Sequence, residues 1–478
     1  MSEHSSSKFA PRIAVVGAGI AGVSAAWKLR KLLGREARIM VAEAYDRTGG
    51  KLKTVDFATG PVDMGAEAFL AARGDFASLV EEVGLAADLR SPNTYMRSGI
   101  FAQGKVVDIP SRTMMGIPAT GGDVAGVLTA EECERVDREK RGAPLDWTVG
   151  QDASVGQLVT DRVGRAVTER LVAPLLGGVY SCHADHLGVR ATVPALAEAL
   201  DEDASRGQGV FLVDAISRLL DQRDKKRSVT DPIKGGAPKA VFQALQGGYR
   251  SLVDAMLDQA DAEILLNTGV EGVWKRGNGW YIEPIGDVDA VVIATPAPTA
   301  SVLLDNAAPT AAGILGDVEL SSSVVVGMRF ASDYGIPDRS GILMGEDAPT
   351  DAKAFTFSSR KWPHIAGQGG AFVRASFGSY DHPWYVDMSD RALLTYAVDD
   401  LAAITGERKN PEEFFIQRWW GGLPRYSVGF LDRMKEAMSE IDTVRGLALA
   451  GSMINGVGVP ATAASGLAAA EKLAGEWD

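Results

Sequence analysis

Arg12–Leu33 reads RIAVVGAGIAGVSAAWKLRKLL. Ile13–Val16 is an unbroken apolar run, the pattern of a strand buried on both faces in a parallel sheet. Gly17, Gly19 and Gly22 follow as G-x-G-x-x-G, and from Ile20 to Leu33 the apolar residues recur at helical spacing. Between a buried strand and a helix, each glycine has its own use. Gly17 permits the tight turn, Gly19 lets the backbone reach a diphosphate at the helix N-terminus, and Gly22 lets helix and strand pack closely. A second buried strand, ARIMVAEA, ends at Glu43. That is about 20 residues on, where a carboxylate can accept hydrogen bonds from ribose hydroxyls. The chain is therefore expected to be an α/β protein with a Rossmann-like dinucleotide-binding domain.

The 478 residues leave room for a second lobe. Hydrophobic residues make up 46% and charged residues 23%, an ordinary globular balance. A net charge of −13 argues against wrapping nucleic acid or adhering to an anionic bilayer by charge. Charge, glycine or proline interrupts every apolar run before it reaches membrane-spanning length, so integral membrane insertion is not expected. Peripheral membrane contact stays open. The polar start MSEHSSSKFAPR has no signal-peptide core and reads as a flexible tail. Two cysteines, Cys133 and Cys182, build no disulfide framework and fit a reducing cytoplasm. His183 and His186 are the only close pair among five histidines, and without further ligands beside them no metal is expected.

Just past Glu43 comes DRTGGK, Asp46–Lys51. Gly49 and Gly50 can bring backbone amides to the same diphosphate, and Arg47 or Lys51 can add positive charge. Lys51 is the preferred side chain, with Arg47 bracing the turn. At the far end, LALAGSMINGVGVPATAASGLAAAEKLA (Leu447–Ala474) sets a glycine-rich loop between a strand and a closing helix. Further strands are expected at 323–330, 341–344, 354–358 and 371–377. A hairpin is expected in GIFAQGKVVDIP, turning at Gln103–Gly104. Residues 154–179 read as helical with interruptions at Gly164 and Pro174. DQRDKKRSVTDPIKGGAPKA (221–240) is charged and nearly free of bulky apolar residues, and reads as a solvated, weakly ordered loop.

The glycine motif with DRTGGK resembles the glutathione-reductase-like flavoproteins, in particular their amine-oxidase-type branch. Over essentially the whole chain, RTGGK, GAEAFL, MGIPAT, LVAPLLGGVY, KWPH, RWWGGLPRYSVG and NGVGVPATAASG resemble the oxygen-dependent porphyrinogen oxidases. The bacterial coproporphyrinogen III oxidase branch is the most similar. The resemblance implies one non-covalent FAD in a discontinuous domain built from residues 9–75, 241–320 and 440–478. It adds a mixed α+β substrate-binding domain from 76–122 and 321–439, and a mainly helical lobe from 123–240. It also implies a place in haem biosynthesis, with a porphyrinogen substrate, oxygen as acceptor, peroxide as product and transient contact with a ferrochelatase.

Carried over by position, the cofactor contacts fall on Gly17, Ala18, Gly19, Ile20, Ala21, Gly22, Glu43, Ala44, Gly49, Gly50 and Lys51. They continue at Gly65, Ala66, Glu67, Ala68, Val270, Trp419, Gly458, Val459 and Pro460. Ala66, Glu67 and Ala68 depart from the family's commoner Pro-Asp-Ser, so contacts there are expected from backbone alone. A tetrapyrrole bearing four propionates calls for cations at the mouth of the site. Arg73 is the first choice, followed by Arg190 and Arg360. His364 in KWPH reads as a loop histidine capping backbone, and Tyr180, Trp384 and Trp420 as packing residues. No protein acid or base is assigned, because the chemistry is flavin-centred. The alternatives are a protoporphyrinogen IX oxidase, then a flavin amine oxidase, then a flavin-free escort protein of the same fold. Val459 and Pro460 stand where an amine oxidase would carry an aromatic.

Overall fold

The computed structural model describes residues 10–230, 240–333 and 335–477. The N-terminal tail expected over residues 1–9 lies outside them.

A five-stranded sheet runs in the order Glu263–Leu265, Arg38–Ala42, Arg12–Val16, Ala290–Ile293, Leu447–Leu449. Each neighbouring pair in it is parallel. The central strands are buried on both faces because helices cover the sheet, which is why their sequences are continuous β-branched and alanine runs. The first helix, Ile20–Leu33, and the closing helix, Val459–Ala474, both begin just past the C-terminal ends of their strands. They pack so closely that a methyl on Gly466 would sit 2.0 Å from the Ala21 carbonyl oxygen.

A second sheet has seven strands, ordered Glu413–Pro424, Leu320–Phe330, Ala371–Phe377, Ala354–Phe357, Gly341–Met344, Ser98–Ala102, Lys105–Asp108. All its pairings are antiparallel except that of Gly341–Met344 with Ser98–Ala102. The last two strands form the expected hairpin, with Gln103 and Gly104 both at positive φ (51° and 74°), as a tight two-residue turn requires. The long edge strand Glu413–Pro424 was not among the expected strands. Its aromatic residues and its Gly421–Gly422 pair hide the period-two alternation, and the pairing is interrupted by a bulge between Ser321 and Ser323.

The mainly helical region breaks where expected. Gly164 takes φ 107°, and the backbone widens into a π-turn over Thr168–Val172 just ahead of Pro174, which cannot donate to the preceding turn. The weakly ordered loop expected over 221–240 is corrected in its first half. The helix Leu212–Thr230 continues through it. Arg223 donates to the carbonyls of Thr113 and Ser111, and Arg112 pairs with Asp224 at 3.0 Å, so the charged stretch is tied to its neighbours. Residues 231–239 lie outside the described residues. No helix among the described residues is long and apolar enough to cross a membrane.

Candidate active site

The two glycine motifs meet at the C-terminal end of the parallel sheet. Gly49 donates its N–H to the Ala18 carbonyl at 2.8 Å, and a methyl on Gly50 would come within 2.9 Å of Gly19 Cα. Gly22 has even less room, since a methyl there would lie 1.9 Å from the Gly17 carbonyl oxygen. Only glycine permits this approach of strand, helix and turn. Arg47 braces the turn as expected, donating to the carbonyls of Thr48 (3.1 Å), Leu52 (3.1 Å) and Gly50 (2.6 Å).

Glu43 sits at the end of its strand, buried. One carboxylate oxygen accepts the Ala18 N–H at 2.9 Å and the other the Tyr45 N–H at 3.1 Å. It therefore holds the first turn against the second strand, and each oxygen keeps a lone pair for a further donor. The Glu43 carbonyl accepts from Thr268 N–H at 2.8 Å, which brings the loop carrying Val270 alongside. Val270 also borders an open cavity of about 500 Å³ with Glu271, Pro298, Thr299, Val302 and Leu303. Of the expected cofactor residues, only Val270 lines that cavity.

Lys51 follows the glycine pair and is partly buried. Its ammonium makes no hydrogen bond or ion pair among the described residues, and burial pulls its pKa down from 10.5 to about 8. The Lys51 carbonyl abuts Gly65, where a methyl would meet it at 2.5 Å and would meet Trp419 Cζ2 at 3.1 Å. Trp419 in turn donates its indole N–H to the Met64 carbonyl at 3.1 Å. Gly17–Gly22, Glu43, Gly49–Lys51, Gly65 and Trp419 thus form one continuous line of contacts.

In the turn Gly65–Ala68, the N–H groups of Gly65, Ala66 and Glu67 find no protein acceptor among the described residues. The Glu67 side chain is spent elsewhere. Its carboxylate is buried and accepts from Ser358 Oγ at 2.7 Å and Lys361 Nζ at 2.9 Å, with the Arg374 guanidinium at 3.5 Å. Despite its burial, those two cations hold its pKa well below the usual carboxylate range. Sequence reasoning missed Arg374 and Lys361 because nothing in their local pattern marks them. Nearby, burial pushes the Asp63 carboxyl up to about 7, against hydrogen bonds from Thr54 Oγ1 and the Tyr249 N–H.

The three arginines named for propionates lie in different settings. Arg73 stands at the start of the helix Gly74–Glu82, about half exposed, 3.6 Å from Asp75. Arg190 makes two 2.8 Å bonds to the Asp201 carboxylate and further bonds to the Gly150 and Gln151 carbonyls. Arg360 pairs with Asp333 at 2.9 Å and approaches Asp338 at 3.5 Å. The structure therefore gives Arg190 and Arg360 carboxylate partners of their own.

His364 does not cap backbone. It lies on the short helix Pro363–Ala366, its buried Nδ1 has no partner in the structure, and its ring lies 5.8 Å from that of Trp362. Trp384 and Trp420, read as packing residues, are 52% and 63% exposed. Trp420 follows Trp419 on the edge strand, and alternation sends the two side chains to opposite faces.

The residues present suit a dinucleotide. A partly buried ammonium with no protein partner among the described residues stands beside a cradle in which a side chain has no room, and this favours an anionic diphosphate, while the free N–H groups of Gly65–Glu67 offer donors further along the same line. Among the described residues, no group of His, Cys, Asp and Glu is arranged to hold a metal.

Comparison with known proteins agrees with this geometry. Residues 20–474 match the family described as flavin containing amine oxidoreductase. A coproporphyrinogen III oxidase from Mycobacterium tuberculosis is 35% identical over 455 residues, covering 94% of each chain. One from Staphylococcus aureus is 26% identical, covering 97% of this chain and 99% of its own. The crystal structure of a candidate protoporphyrinogen oxidase from Exiguobacterium superposes with a TM-score of 0.83 at 26% identity, covering 98% of this chain and 99% of that one.

Proposed function

Because the chain belongs to the flavin-containing amine oxidoreductase family, we propose that it is an FAD-dependent oxidase of haem biosynthesis. Its reaction is the six-electron oxidation of coproporphyrinogen III to coproporphyrin III, with oxygen as acceptor and peroxide as product. The unbroken contact line from the glycine turn through Lys51 and Gly65 to Trp419 carries the cofactor half of this reading. The names of relatives that match nearly end to end support the substrate half.

One FAD, held without a covalent bond, fits the residues present. Gly17–Gly22 and Gly49–Gly50 would hold its diphosphate, and Lys51 would neutralise it. Glu43 accepts from the ribose, and Val270 offers backbone to the adenine. The turn Gly65–Ala68, Trp419 and the N-terminal residues of the closing helix, Gly458–Pro460, border the ring. When bound, the flavin accepts hydride from a bridging carbon of the macrocycle and returns the electrons to oxygen. The chain's own part is to bind, orient and exclude water. Neither cysteine, Cys133 nor Cys182, lies in these segments, so no thioether is formed. Arg73, whose only carboxylate partner is the exposed Asp75 at 3.6 Å, receives a propionate.

The test is a side-by-side fluorescence assay of air-dependent oxidation. Faster oxidation of coproporphyrinogen III with release of peroxide is expected. Equal or faster oxidation of protoporphyrinogen IX overturns the substrate assignment, and a colourless protein that cannot be loaded with FAD overturns the oxidase itself.

A further inference from the structure

The turn Gly65–Ala68 is gripped by side chains that are remote in sequence. Arg374 donates to the carbonyls of Asp63 at 2.7 Å and Gly65 at 3.2 Å, and Trp419 to the Met64 carbonyl between them at 3.1 Å. Three consecutive carbonyls are thus taken by two strands of the seven-stranded sheet. Glu67 closes the arrangement, bonded to Ser358 and Lys361 and next to Arg374. With its carbonyls engaged on that side, the segment leaves the N–H groups of Gly65, Ala66 and Glu67 free.

We infer that Glu67 and Arg374 are positioning residues, whose buried cluster with Lys361 sets the turn Gly65–Ala68 in the geometry that receives the flavin. Flavin binding then depends on the intact edge of the substrate-side sheet, and not on the nucleotide fold alone. The inference rests on the FAD reading above. Glu67 touches no reacting atom. It acts through the backbone it holds, and through two cations that would otherwise be buried without a counter-charge.

A buried ion pair elsewhere supplies the control. Glu139 and Arg162 in the helical region form a comparably buried pair, Glu139 also accepts the Leu212 N–H at 3.1 Å, and neither residue touches the glycine turns. FAD is titrated into apoprotein by flavin fluorescence quenching, and the flavin midpoint potential is measured on each loaded protein. Glu67→Gln is expected to raise the FAD dissociation constant by about tenfold or more and to shift the potential. Glu139→Gln is expected to lower thermal stability while leaving both near wild type. Adding Lys361→Met to Glu67→Gln removes one of the two uncompensated cations and should recover part of the lost affinity. Should Glu67→Gln not fold, Arg374→Lys serves in its place, since it keeps the charge and loses the two-carbonyl grip. Unchanged FAD affinity and potential in the folded Glu67 or Arg374 variant, or an equal loss in Glu139→Gln, overturns the positioning role. Wild-type apoprotein that takes up no FAD overturns the flavin reading first, and the inference falls with it.

Discussion

A methyl on Gly22 would sit 1.9 Å from the Gly17 carbonyl oxygen, so the first wall of the site is shaped by the absence of side chains. On the far side of Lys51, the turn Gly65–Ala68 is shaped by their presence, with Arg374, Lys361, Ser358 and Trp419 all drawn to it. The first wall is built mostly from turns that follow two neighbouring strands, closed by the Ala294 carbonyl, which a methyl on Gly17 would meet at 2.8 Å. The second needs residues about three hundred positions apart, so its geometry is no better than the packing of the sheet that supplies them. A cradle of backbone tolerates no added atom but carries no charge of its own. A charged clamp can be weakened by degrees, and its cost of burial is met only while all partners are present.

The sharpest way to break this comparison is at Gly22. Gly22→Ala should cost about 4 kcal/mol or more, because the clash is with backbone that has no rotamer to give. Little soluble holoprotein is expected, and a soluble variant with normal flavin content would show that the first wall yields after all.

Lys51 joins the two walls, and its effect should be intermediate. Burial disfavours its ammonium, so between about 8 and 10.5 the unfolded chain keeps a proton that the folded apoprotein has lost. Apoprotein stability should therefore rise with pH across that window, with the full cost of the buried charge present below it. A bound diphosphate favours the ammonium, so FAD affinity should run the other way, being tightest below pH 8 and falling as pH rises through it. Lys51→Met should flatten both profiles and weaken FAD binding about tenfold at neutral pH. A pH-independent FAD dissociation constant in the wild type would remove Lys51 from the diphosphate site.

The arginines should give the smallest effects and separate recognition from scaffold. Arg73→Ala should raise KM for coproporphyrinogen about fivefold with flavin content unchanged, consistent with one exposed charge-assisted contact. Arg190→Gln, which loses two bonds to Asp201, should lower the thermal midpoint and leave KM alone. The reverse pattern in steady-state kinetics and melting would move the propionate contact to Arg190.

The glycine motifs and Glu43 were legible because their partners are near in sequence and their spacing is dictated by one strand–turn–helix unit. Much of the seven-stranded sheet was also legible, through the short apolar runs at 323–330 and 371–377. Glu413–Pro424 was not, because glycine and tryptophan at its end break the period-two alternation. The helix Leu212–Thr230 was misread because its charged half makes no core and is held by Arg223 and Arg112 through contacts that no periodicity records.

By itself, then, the sequence determined a parallel nucleotide sheet and its two glycine turns, since these follow from steric rules acting over short separations, and it carried, in motifs spread along the chain, the resemblance that implies a flavin. Tertiary structure decided what Glu67 is for, which arginines are already paired, and how Lys51 comes to be half-buried with no protein partner among the described residues. Those outcomes depend on which distant strand lies beside a side chain, and a buried charge takes its role from whichever opposite charge the fold brings within reach.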